Sequence, residues 1–125
     1  MTTAQMHNLP TILVVDDSTH DYETYVRYLI KARPNAYRTK FLSVGRHVFS
    51  SLDELPHCLL LDLSLPDMTG LDIIEKLKEQ NGGALPCPIV MVTGSGDQTT
   101  GQKAISMGAQ DYLIKDEVTE ESLPS

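Results

Sequence analysis

Three short stretches of this chain are apolar without interruption and then stop abruptly. Thr11-Ile12-Leu13-Val14-Val15 runs into Asp16-Asp17, Cys58-Leu59-Leu60-Leu61 into Asp62, and Pro88-Ile89-Val90-Met91-Val92-Thr93 into Gly94-Ser95-Gly96. Continuous apolar runs with no alternation are the signature of parallel strands covered on both faces. Two mixed stretches, Tyr37 to Ser43 and Asp111-Tyr112-Leu113-Ile114, suit less buried or edge positions.

Helical patterns fill the gaps. Ser18 to Ala32 carries Tyr22, Tyr25, Val26, Leu29 and Ile30 at helical spacing, with Ser18 and Asp21 as a capping box and Pro34 closing it. Val48, Leu52 and Leu55 mark a second helix, and Leu71, Ile74 and Leu77 a third that ends at Asn81-Gly82-Gly83. Ala104, Ile105 and Met107 mark a fourth, weakened by Gly101 inside it, since an internal glycine costs ~1 kcal/mol relative to alanine. Strands alternating with helices imply right-handed crossovers and a doubly wound sheet, which binds ligands beyond the carboxyl ends of its strands. Asp16, Asp17, Asp62, Thr93 and Lys115 all fall at such ends, so they converge on one rim.

At 125 residues the chain is one domain's worth, and 41% hydrophobic residues suffice for a single core. A balance of 10 Lys+Arg against 17 Asp+Glu, net charge -7, disfavours direct nucleic-acid or anionic-membrane binding. No run approaches the ~20 apolar residues of a membrane helix, and the first ten residues lack the regions of a signal peptide, so no membrane insertion and a cytoplasmic setting are expected. Cys58 and Cys87 match no metal spacing and read as free thiols. If the strand ends align at Asp62 and Thr93, their Cα atoms lie roughly 8 Å or more apart. Arg27, Lys31, Arg33, Arg38, Lys40 and Arg46 fall in a stretch without Asp or Glu. It reads either as a solvated face or as a docking surface for an acidic partner.

Clustered carboxylates repel and raise one another's pKa unless something positive sits among them. Oxygen-only ligands with room for water suit Mg²⁺, and Lys115 supplies a second positive charge beside Asp62. Thr93 and the N–H groups of Gly94 and Ser95 are then placed to cradle anionic oxygens, and the whole set fits a phosphoryl group.

The same residues carry a resemblance. Val14-Val15-Asp16-Asp17-Ser18, the stretch Leu60 to Leu71 with Asp62, Pro66, Asp67 and Gly70, Val92-Thr93-Gly94, Gly108-Ala109 and Asp111 to Lys115 resemble the receiver domain of two-component response regulators, in the family's order. The resemblance implies an α/β fold with a doubly wound five-stranded parallel sheet, flavodoxin-like, of strand order 2-1-3-4-5. It also implies a phosphoryl-accepting switch. Asp62 would take a phosphoryl group from the phosphohistidine of a histidine kinase or phosphotransfer protein. Asp17, Asp62 and the Ser64 carbonyl would bind Mg²⁺ directly, and Asp16 through water. Thr93 and Lys115 would bind phosphoryl oxygens, and Tyr112 would change rotamer as Thr93 moves, relaying the change to an output domain or protein. At most, the domain would catalyse its own phosphorylation and dephosphorylation.

The family usually has Pro after the lysine, joined by a cis bond, whereas Asp116 stands here; a cis bond to a non-proline residue costs ~3 kcal/mol, so a trans bond and a rerouted loop are expected. The expected organisation is a tail over 1–10, the receiver domain over 11–116, and a truncated final helix or tail over 117–125. The last helix is short or missing because 116–125 offers only Val118 and Leu123 as large apolar residues. Apolar side chains on the strands bearing Val14, Leu60 and Tyr112 are then expected to be partly uncovered, as in a fragment of a multidomain protein or a self-associating chain. The competing functional readings are a phosphorylation-independent pseudo-receiver, a Mg²⁺-dependent aspartyl phosphatase, for which Asp16 and Asp17 would need Asp-x-Asp spacing, and a nucleotide-binding module resting on Gly94-Ser95-Gly96 alone.

Overall fold

The five strands β1 (Thr11–Val15), β2 (Arg38–Leu42), β3 (Cys58–Asp62), β4 (Ile89–Thr93) and β5 (Asp111–Ile114) form one parallel sheet in the order β2-β1-β3-β4-β5. This arrangement comes from a computed structural model, which describes residues 9–94 and 98–115. The helices between the strands are α1 (Thr19–Ala32), α2 (His47–Ser50), α3 (Gly70–Gln80) and α4 (Gln98–Ser106). Every residue of β1 and β4 is buried, as is all of β3 except half-buried Cys58, whereas β2 and β5 are mostly half-buried. The uninterrupted apolar runs are therefore the three inner strands and the mixed stretches the two edges.

Alternate residues of the inner strands feed two cores. Leu13, Val15, Leu59, Leu61, Ile89 and Met91 pack with Ile73, Ile74 and Leu77 of α3 on one face. Ile12, Val14, Leu60, Val90 and Val92 pack with Tyr25 and Leu29 of α1 on the other. The expectation of a bare patch is overturned at Val14 and Leu60, which are only 1% and 4% exposed. Tyr25 and Leu29 of α1 pack in one buried cluster with both, each burial being worth about 2 kcal/mol. Tyr112 belongs to the opposite face and packs with the α3 core. The final helix expected over 117–125 and the Lys115–Asp116 bond lie outside the described residues.

Two helical expectations need correction. The helix expected from Val48 to Leu55 lasts one turn, and Leu55 is 56% exposed. The Ser50 hydroxyl donates to the His47 carbonyl and the Ser51 hydroxyl to the Val48 carbonyl, so serine side chains take up acceptors near the end of the turn and Pro56 follows. In α4, Ala104 is buried but Ile105 faces solvent.

Both cysteines are free, but they lie closer together than expected, by one residue of register. Asp62 pairs with Val92, not Thr93, which offsets Cys58 and Cys87 by one residue and brings their Cα atoms to about 6 Å, within disulfide reach. What separates the thiols is direction: Cys58 packs with the α1 core and Cys87 with the α3 core.

Candidate functional site

Each inner strand delivers its last polar residue to the same rim. Asp16 and Asp17 follow β1, Asp62 ends β3, Thr93 ends β4, and Lys115 follows β5. One carboxylate oxygen from each of Asp16, Asp17 and Asp62 lies within 4.8 Å of the others. Asp16 and Asp62 are buried and Asp17 is exposed. The Lys115 ammonium lies 3.3 Å from Asp62 Oδ2 and 3.4 Å from Asp16 Oδ2, so the sheet closes lysine and carboxylates into one cluster.

The backbone prepares these groups. Asp16 Oδ1 accepts from the Ser18 N–H at 2.9 Å, and Asp62 Oδ1 accepts from the Ser64 N–H at 3.3 Å. Ser64 is exposed and bridges Thr69 across the loop after β3. Thr69 caps α3 with a complete capping box to Asp72. Gly70 opens that helix hard against the strand: a Cβ there would lie 2.9 Å from the Asp62 carbonyl oxygen, so only glycine lets α3 start this close to the site. Asp67 braces the same loop by accepting from the Gly45 and Arg46 N–H groups at 2.8 and 2.9 Å, and those bonds hold its carboxyl below the usual carboxylate range.

Burial raises the Asp16 pKa to about 6, against the pull of the Ser18 N–H, and the Asp62 charge adds to the rise. Burial also raises Asp62, with Lys115 opposing. Burial alone would lower Lys115, but the hydrogen bond to Asp21 and the charges of Asp62 and Asp16 overcome it and raise its pKa. Lys115 therefore stays cationic beside carboxylates that are costly to ionise.

Two buried polar atoms are unsatisfied. Asp16 Oδ2 and Thr93 Oγ1 have no hydrogen-bond partner among the described residues, although Asp16 Oδ2 makes the ion pair with Lys115. A buried hydroxyl left without a partner costs of order 1–3 kcal/mol, and among the described residues Thr93 Oγ1 at the end of β4 has none. The donor set fits a hard divalent cation: three carboxylates from two strand ends, oxygen atoms only, with Asp17 open to solvent.

Tyr112 stands one strand away, opposite Met91. Its ring occupies the space a side chain at Gly101 would need: a Cβ there would meet Tyr112 Cδ2 at 2.4 Å. The glycine that weakened α4 on propensity grounds is thus the ring's seat. Gly101→Ala is expected to destabilise the protein by about 2 kcal/mol despite alanine's helix preference of ~1 kcal/mol, because the clash is with the ring root. In urea melts the loss should vanish on a Tyr112→Ala background. A Gly101→Ala protein more stable than wild type would refute the contact.

The sequence reading placed Asp16, Asp17, Asp62, Thr93 and Lys115 together, and the structure brings all five to one rim. It missed Asp21, assigned to a capping box. The Ser18 hydroxyl does accept from the Asp21 N–H at 3.1 Å, but the Asp21 carboxylate takes the Lys115 ammonium at 3.0 Å. The one available signal was position: Asp21 lies one turn beyond a strand-end carboxylate. Ser95, expected in the cradle with Gly94, lies outside the described residues.

A family model described as the response regulator receiver domain matches residues 12–124. The chain is 32% identical over 108 residues to the two-component response regulator ORR3 of Oryza sativa subsp. indica, covering 85% of this chain and 79% of that protein. It is 34% identical over 103 residues to the luminescence regulatory protein LuxO of Vibrio campbellii, covering 82% of this chain but 21% of that longer protein. A solved response regulator structure from Chloroflexus aurantiacus superimposes with a TM-score of 0.80 at 26% identity, covering 93% of this chain and 92% of that one.

Proposed function

The chain belongs to the response regulator receiver family, and on that premise we propose that Asp62 is its phosphoryl acceptor. The donor is the phosphohistidine of a histidine kinase or phosphotransfer protein. An Asp62 carboxylate oxygen forms a bond to phosphorus as the donor's phosphorus–nitrogen bond breaks, and the imidazole nitrogen keeps the electron pair. The observation that carries this reading is a buried carboxylate ending the central strand, with a lysine ammonium at 3.3 Å and an unsatisfied buried hydroxyl at the end of the adjoining strand.

Lys115 and Thr93 hold the phosphoryl oxygens, one by charge and one by donating its hydroxyl proton. Receiver domains generally bind Mg²⁺ in an acidic pocket, and here Asp17, Asp62 and the Ser64 carbonyl would hold the cation directly, with Asp16 acting through water. When bound, the cation neutralises charge on the phosphoryl oxygens. Engagement of Thr93 shifts Tyr112 from its seat on Gly101, which carries the change to the β4–α4–β5 surface and an output domain or protein. The receiver unit spans 11–116 between a tail over 1–10 and the segment 117–125. We place it in the cytoplasm, without direct nucleic-acid contact or membrane insertion; among the described residues no helix is long and apolar enough to cross a membrane.

Incubation with Mg²⁺ and acetyl phosphate, followed by intact mass spectrometry, should show one added phosphoryl group per chain. Continuous turnover without a labelled protein would mean a phosphatase. Absence of both label and turnover would mean an interaction domain only.

A further inference from the structure

Among the described residues, the Lys115 ammonium lies nearest Asp21 Oδ2 at 3.0 Å, ahead of Asp62 Oδ2 at 3.3 Å and Asp16 Oδ2 at 3.4 Å. Two helix starts of like spacing show why that carboxylate is available. At Thr69 the box closes in both directions, with the Thr69 N–H donating to Asp72 Oδ2 at 3.1 Å. At Ser18 the corresponding N–H is already taken by Asp16 Oδ1 at 2.9 Å. Asp21 therefore caps α1 through its backbone alone, and its side chain turns to Lys115.

We propose that Asp21 is a positioning residue that brakes phosphorylation: it shares the Lys115 ammonium with Asp62 and sets a fixed negative charge beside the place the phosphoryl group must occupy. The inference rests on Asp62 as acceptor. The two Lys115 contacts put the Asp21 and Asp62 oxygens no more than about 6 Å apart, a range over which charges at a protein surface still act strongly on each other. A donor bringing two negative charges is repelled by Asp21 and finds the lysine shared. Asp21 touches neither donor nor acceptor, so its effect falls mainly on donor binding.

In phosphorylation kinetics with Mg²⁺, Asp21→Asn should lower the half-saturating concentration of dianionic acetyl phosphate by roughly ten-fold with little change in maximal rate. The gain should be smaller with phosphoramidate, which carries less net negative charge. Asp21→Ser, a residue suited to a helix's first turn, should reproduce the gain, and Asp21→Glu, which restores the charge, should reverse it. A wild type that labels while Asp21→Asn and Asp21→Ser label no faster, or gain equally with both donors, overturns the brake and leaves Asp62 as acceptor untouched. A wild type that takes no label overturns the acceptor assignment, and the brake with it.

Discussion

Replacing Asp62 with Ala or Asn is expected to abolish phosphoryl incorporation, and in metal-free buffer Asp62→Asn should melt higher than the wild type. The strand order favours Asp62 over its carboxylate neighbours as the acceptor. Asp16 and Asp17 leave β1, which β3 separates from β4 and its Thr93 hydroxyl. Only the β3 end adjoins both the acidic pair and the Thr93 end of β4. The stability gain follows from the pKa direction. Burial raises Asp62, so folding disfavours its ionised form, and a neutral amide removes that cost while Lys115 keeps Asp21 and Asp16. A raised carboxylate pKa means the penalty is present above the unfolded value, hence at pH 7. The expected result is therefore a melting temperature above that of the wild type. Label persisting on either variant would place the acceptor elsewhere. A lower melting temperature for Asp62→Asn would show that its ion pair outweighs its burial.

What the sequence disclosed and what it hid divide along physical lines. The inner strands were legible because burial on both faces leaves uninterrupted apolar runs, and the rim was legible because those runs end on charged or hydroxyl residues at Asp16, Asp62 and Thr93. The length of α2 was not, because periodic Val48, Leu52 and Leu55 carry no sign that the Ser51 N–H turns to the Val48 carbonyl and closes the helix after one turn. Register was hidden too: aligning strands by their ends placed Thr93 beside Asp62, when Val92 is its partner. Strand ends define a rim only to within a residue, and that residue decides which face each cysteine meets. Asp21 was misread because a Ser-x-x-Asp spacing describes a capping box without revealing whether another carboxylate has already taken the cap N–H. The patch expected at Val14 and Leu60 failed, and among the described residues Tyr25 and Leu29 of α1, a helix legible in the sequence, pack against both.

The rim's charge imbalance makes divalent cation binding visible without any phosphoryl donor. Asp16, Asp17, Asp21 and Asp62 face Lys115 with a surplus of negative charge, and the Asp16 pKa of about 6 records what ionising a buried member of the set costs. A cation that binds the folded rim and not the unfolded chain stabilises by linkage. At ten times its dissociation constant Mg²⁺ should add about 1.4 kcal/mol, or roughly 5 °C in melting temperature. The variants should separate the two strand-end aspartates. Asp17 is exposed, so Asp17→Asn should change the metal-free melt little but remove most of the Mg²⁺ response. Asp16 is 1% exposed, so Asp16→Asn should stabilise the metal-free protein by about 3 kcal/mol and retain part of the response. A wild-type melt unmoved at saturating Mg²⁺ would count against the cation site. A response lost in Asp16→Asn but kept in Asp17→Asn would reverse their roles, making the buried carboxylate the direct ligand and the exposed one its hydrated neighbour.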